Sequence, residues 1–155
     1  MKYSVNSGEL RTYNNETIQL TNPGPQNIQF TAEDNLGNKS TSGTLSVEVD
    51  AKAPTVEIVP SVPLIQVGEK SYAKKSTAFK INAVDEGAGV EQILIKIDDS
   101  QDWQTYSEAL YFDQEKPHSI QVKAIDSVGN ESELKTIQFI VDDNPPSSEI
   151  KATIE

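Results

Sequence analysis

Apolar and polar residues alternate along much of this chain, in short blocks. Between residues 54 and 143 the blocks are Val56 and Ile58; Phe79, Ile81 and Ala83; Ile93, Ile95 and Ile97; Leu110 and Phe112; Ile120, Val122 and Ala124; and Ile137, Phe139 and Val141. A period of two places one set of side chains on one face of a strand and the intervening Lys, Gln and Glu on the other. No stretch of 11 or more residues keeps a helical spacing. Turn chemistry separates the blocks at Gly87-Ala88-Gly89, Asp98-Asp99-Ser100 and Ser127-Val128-Gly129-Asn130. Six or seven short strands within about 90 residues predict an all-β fold, a two-sheet antiparallel sandwich. Residues 61–76, between Pro60 and the next block, contain Pro63 and Gly68 and predict a long connection with an irregular edge segment.

The pattern repeats. Shifted by 92 residues, Ile28–Ile58 aligns without a gap on Ile120–Ile150, with 13 identities in 31 positions. Chance gives about two at average residue usage. The identities include Ala32/Ala124, Asp34/Asp126, Gly37/Gly129, Asn38/Asn130 and Pro54/Pro146. Tyr3-Ser4-Val5 falls on Ile95-Lys96-Ile97, and Tyr13 on Tyr106 after a one-residue gap. Residues 1–53 therefore read as the later part of one module, 54–143 as a complete module and 144–155 as a linker and the first strand of a further one. The phase predicts a piece cut from a longer tandem array. It also predicts that the first module lacks its first two strands, so that its inward residues Val5, Ile28, Phe30, Val47 and Val49 lose their partner sheet edge and the module is less ordered than 54–143 or is completed by another segment or chain through strand addition. The junctions Val49–Pro54 and Val141–Pro146 are short and Pro-marked, which predicts restricted flexibility and an elongated array.

Composition narrows the function. The 155 residues include 24 acidic and 13 basic side chains, for a formal net charge of -11. That balance argues against nucleic acid as a partner, because phosphate recognition needs a basic footprint. Hydrophobic residues make up only 35 %, which predicts thin cores and much exposed polar surface. There is no run of about 18 apolar residues that would cross a membrane as a helix, and Met1–Leu10 has no basic-then-apolar leader pattern. The chain has no Cys and a single histidine, His118, so thiolate and His-rich metal sites are excluded.

Within the complete module stand Phe79-x-Ile81-x-Ala83-x-Asp85, Gly87-Ala88-Gly89-Val90, Trp103-x-x-Tyr106, His118-x-Ile120-x-Val122-x-Ala124-x-Asp126 and Gly129-Asn130-x-Ser132. Together they resemble the Ig-like repeats of bacterial surface and secreted proteins, as in spirochaetal outer-membrane adhesins and the stalks of cell-wall enzymes. The first module shares the second half of the pattern and departs at Gln26, where the complete module has His118. The resemblance implies tandem immunoglobulin-like sandwiches, an extracellular or cell-surface location, neighbouring modules as partners and no catalysis. It is weak for function, since such modules serve as spacers, adhesins and accessory domains alike.

Each chemical motif has a plain alternative. Asp-x-x-Gly-Asn, at Asp34–Asn38 and Asp126–Asn130, reads as a turn in which Asp accepts backbone N–H groups and Gly takes positive φ; a calcium loop is the other reading. Asp50, Asp142 and Asp143 stand at the junctions as candidate calcium ligands, or as solvated linker charge. No other cofactor is implied. The adjacent acids Asp85-Glu86 and Asp98-Asp99 do not make a catalytic pair, since neighbours on a strand point to opposite faces. No phosphate loop or nucleophile elbow occurs. His118 precedes a strand and is expected to pack or hydrogen-bond at its start. Trp103 and Tyr106 are the candidate ligand anchors, for a carbohydrate or a protein, with core packing as the alternative. Three readings follow: a structural stalk with weak adhesion, a ligand-binding segment, and an accessory part of an extracellular enzyme.

Overall fold

A computed structural model describes residues 1–152. Those residues form strands and turns only. The chain divides into two units, Met1–Ala51 and Lys52–Glu155, two residues ahead of the expected boundary. The first unit contains β1 (Lys2–Val5), β2 (Arg11–Thr12), β3 (Gly24–Thr31) and β4 (Gly43–Val49) in one antiparallel sheet, order β2-β1-β3-β4. The second contains β5 (Thr55–Pro60), β6 (Ile65–Val67), β7 (Lys70–Ala73), β8 (Phe79–Val84), β9 (Val90–Ile97), β10 (Gln104–Thr105), β11 (Pro117–Asp126) and β12 (Lys135–Val141).

The second unit is a two-layer Ig-like sandwich. A six-stranded sheet, order β10-β9-β11-β12-β7-β6, faces a two-stranded sheet of β5 and β8. β11 lies at the centre. Its alternate residues His118, Ile120, Val122 and Ala124 are all buried, as the period of two requires. Val56, Phe79 and Ile81 meet them from the other layer. The layers join through rings: Phe79 stacks on Phe139 at 4.4 Å, and Phe112 meets both edge-on at 5.7 and 5.0 Å. Such geometry keeps the negative face of one ring near the positive edge of another.

Three expectations are revised. Residues 61–76 hold an ordered hairpin, β6–β7, and β7 pairs in parallel with β12 through Ile140–Tyr72 and Val141–Ala73. Pro60 ends β5 and Pro63 lies in the turn, so neither interrupts a ladder. Leu110 and Phe112 form no strand; Leu110 makes one reciprocal bridge with Phe79, at 2.9 and 3.0 Å. Residues 147–152, the register counterparts of β5, form no strand either. β5 owes its ladder to β8, and no pairing partner for 147–152 occurs among the described residues. The remainder of that expected strand, 153–155, lies outside the described residues.

Phe79 is 1 % exposed and touches both other Phe rings. Phe79→Ala is expected to destabilise the second unit by about 3–5 kcal/mol, from lost transfer energy plus the cavity. Urea denaturation followed by Trp103 fluorescence checks this, and a loss below about 1 kcal/mol would mean that the ring stack does not join the layers.

Candidate functional site

The Asp-x-x-Gly-Asn segments fold identically in the two units. In the first, Asp34 Oδ1 accepts the Leu36 and Asn38 N–H groups at 2.8 and 2.9 Å, and Oδ2 accepts Asn38 Nδ2 at 2.8 Å. In the second, Asp126 Oδ1 accepts Val128 and Asn130 N–H at 3.0 and 2.8 Å, and Oδ2 accepts Asn130 Nδ2 at 2.7 Å. Gly37 and Gly129 take φ of +86° and +94°, where a side chain would be strained. Ser40 and Ser132 close the loops by accepting the Ala32 and Ala124 N–H groups. The carboxylates are thus occupied as turn formers. For Asp34 the Asn38 side chain leads in holding the carboxyl below its ordinary value. For Asp126 burial pushes upward, and the Asn130 side chain and three amides outweigh it.

Asp126 has a neighbour that sequence distance conceals. Asp85 Oδ2 accepts Gly87 and Gly89 N–H at 2.9 and 2.7 Å, and Ser127 N–H donates to Gly89 O at 3.0 Å. This brings carboxylate oxygens of Asp85 and Asp126 within 4.8 Å of each other. Asp85 Oδ1 is buried without a hydrogen-bond partner.

Asp142 and Asp143 lie elsewhere. Asp142 and Asp143 follow β12, which runs antiparallel to β11, so they sit at the end of the second unit opposite Asp126. Both are exposed; Asp142 N–H donates to Ala73 O at 3.0 Å, and its Oδ1 accepts Asn144 N–H at 3.1 Å. Asp50 follows β4 in the first unit and is half-buried.

Trp103 and Tyr106 part company. Tyr106 packs against the core, and its hydroxyl accepts the Ile81 N–H at 3.2 Å. Trp103 lies on the outer face of the sheet, its ring 5.1 Å from Lys96 Nζ and 5.2 Å from Lys123 Nζ. Those ammonium groups interact with the π-system on which a sugar would stack. Lys123 is also held by Glu131 at 2.8 Å.

A polar pair that the sequence reading left undeveloped sits where β9 turns toward β10. Asp98 takes φ of +51°, and its carboxylate receives His118 Nδ1 at 2.9 Å, Ser119 N–H at 3.0 Å and Lys116 Nζ at 3.3 Å. His118 Nε2 lies 2.9 Å from Gln114 O, so both ring nitrogens face acceptors. Both ring nitrogens are thus engaged in the hydrogen bonding of this corner. The first unit repeats this latch without charge. Asn6, at φ +50°, donates to Gln26 Oε1 at 2.5 Å and accepts Asn27 N–H at 2.8 Å. Asn6 and Gln26 are the 92-residue counterparts of Asp98 and His118. Comparing the two units at that shift was the signal that could have found the pair.

No protein-family model matches the chain, and no curated protein matches it in sequence. Among solved structures it is similar to the fibronectin(III)-like modules of CbhA from Clostridium thermocellum, with 17 % identity and a TM-score of 0.45, over 96 % of this chain and 83 % of that one.

Asp98 gives the second unit an acid limit. Burial pushes its carboxyl up, but Ser119, His118 and Lys116 together outweigh that and hold it below the ordinary value. A depressed carboxyl contributes stability that is present above the unfolded pKa, about 3.9, and lost as pH falls through the folded one. Asp98→Asn is therefore expected to flatten the decline in melting temperature between roughly pH 5 and 2. Calorimetry over that range checks it; an unchanged slope would remove the latch as a source of acid sensitivity.

Proposed function

We propose that this chain is a non-catalytic spacer, a run of Ig-like modules in a secreted or surface-attached bacterial protein. The observation that carries the reading is the parallel pairing of β7 with β12. β7 is the third strand of the second unit, after β5 and β6, and β12 is its last. Once β5 and β6 are drawn off, tension along the chain pulls the two parallel strands in opposite directions. Their hydrogen bonds then bear the load together rather than breaking in sequence. The Asp142 N–H bond to Ala73 O, at 3.0 Å, adds to this ladder. The motif resemblance to bacterial Ig-like repeats supports the extracellular part. The single histidine is committed to its latch, which supports the absence of catalysis.

Adhesion and sugar binding through Trp103 form the second reading. The outward position of Trp103 favours it, and the two flanking lysines weigh against it. Calcium at the junction acids is carried only as an expectation from the motif resemblance.

Single-molecule pulling of the full chain separates these roles. The spacer reading expects one dominant unfolding peak for the second unit, at lower force in Asp142→Pro. That substitution removes one donor, and Val141 before it is already extended. Its equilibrium effect should stay near 1 kcal/mol, roughly 4–8 °C of melting temperature. An unchanged force would dismiss the load path. Retention on glycan or matrix arrays that is lost in Trp103→Ala, with melting unmoved, would shift the assignment to ligand binding.

A further inference from the structure

The two units can be compared residue by residue on one face. In the first, Val5, Ile28 and Leu45 stand in one cross-strand row, with Phe30 and Val47 beside it. The 92-residue shift places them on Ile97, Ile120, Ile137, Val122 and Phe139. In the second unit that face is roofed by β5 and β8, and Ile120 and Val122 are 0 % exposed. In the first, Ile28 at the centre of the row is buried at 8 %, while Phe30 is 40 % and Leu45 51 % exposed, so the face stays open on the Phe30 and Leu45 side. The Phe30 ring lies down over Gly43, so closely that a Cβ there would come within 2.3 Å of it. The sheet order is the same in both: β2-β1-β3-β4 corresponds to β10-β9-β11-β12.

We infer that this face of the first unit is a docking surface for a two-stranded antiparallel β layer of the β5–β8 kind. The second unit states what such a layer must carry: apolar residues at alternate positions, as in Val56-x-Ile58 and Phe79-x-Ile81-x-Ala83, with polar residues outward. It also states the backbone contact. Phe79 exchanges two hydrogen bonds with Leu110, and the counterpart of Leu110 is Ile18, which is half-buried in the first unit. Size sets the selectivity. Val47 stands where Phe139 receives the Phe79 ring, and Phe30 stands where the second unit has the smaller Val122. The matching layer carries a large residue opposite Val47 and a small one opposite Phe30, since a core tolerates neither a void nor an excess methylene well. An exposed apolar face of this kind is what association through sheet packing requires.

A copy of residues 54–92 fused ahead of Met1 recreates the chain step that joins Gln92 to Ile93 and offers the layer in cis. Hydrogen exchange of the Ile28 and Leu45 amides is the readout, against the unfused chain and a fusion in which the copied Phe79 and Ile81 are Ser. Protection is expected to rise roughly tenfold or more with the apolar copy and not with the Ser copy. A separate 54–84 peptide titrated onto the full chain, with Leu45→Glu as the blocked variant, offers the layer in trans and keeps the test open if the fusion does not fold. Leu45 is exposed, so Glu there leaves the sheet intact. Equal protection in all forms together with no peptide binding overturns the proposal. So does an unfused chain that sediments as a dimer and becomes monomeric with Leu45→Glu, which would make the face a self-interface.

Discussion

The second unit depends on one contact between layers, the stack of Phe79 on Phe139. A six-stranded sheet with one apolar face has to bury that face, and β5–β8 is the other sheet among the unit's described residues. Two strands offer few inward positions, and among Val56, Ile58, Phe79, Ile81 and Ala83 the largest side chain is Phe79. Phe112 fills the corner where the chain forms no regular strand, and His118 closes the same cluster 4.6 Å from it. The single bridge between Phe79 and Leu110 is all that ties this corner to the backbone ladder. A low apolar content is compatible with this arrangement because so few positions face inward.

The polar detail is local and repeated. Both units turn with Asp, Gly and Asn in the same hydrogen-bond pattern, and both brace a positive-φ residue against the following strand. One brace is charged, Asp98 with His118; the other is neutral, Asn6 with Gln26. The geometry survives the exchange, so the bracing is a matter of donor and acceptor placement. Charge adds a dependence on acid that the neutral version lacks. The sole histidine thus belongs to the scaffold.

The same placement bears on function. Strands β7 and β12 lie side by side in parallel, joined by few hydrogen bonds, and β12 is the strand by which the chain leaves the unit. The aromatic pair expected to grip a ligand is split by the pleat, with Tyr106 inward and Trp103 outward under two lysines.

Alternation and turn chemistry were enough to place β5, β8, β9, β11 and β12, because a period of two and the Asp-x-x-Gly-Asn loop act over a few residues. The 92-residue shift was enough to pair the two Asp-x-x-Gly-Asn loops and the strands that flank them. What needed the tertiary structure was everything set by partners far along the chain. The hairpin β6–β7 became part of the main sheet because β12 offered an open edge. Leu110–Phe112 did not become a strand because Phe79 gives it one bridge and no ladder. Asp85 and Asp126 meet because two loops close at one end of the sandwich. Hydrogen bonds within a turn are written in adjacent residues; which face, edge or carboxylate lies across from another is decided only when the strands pair.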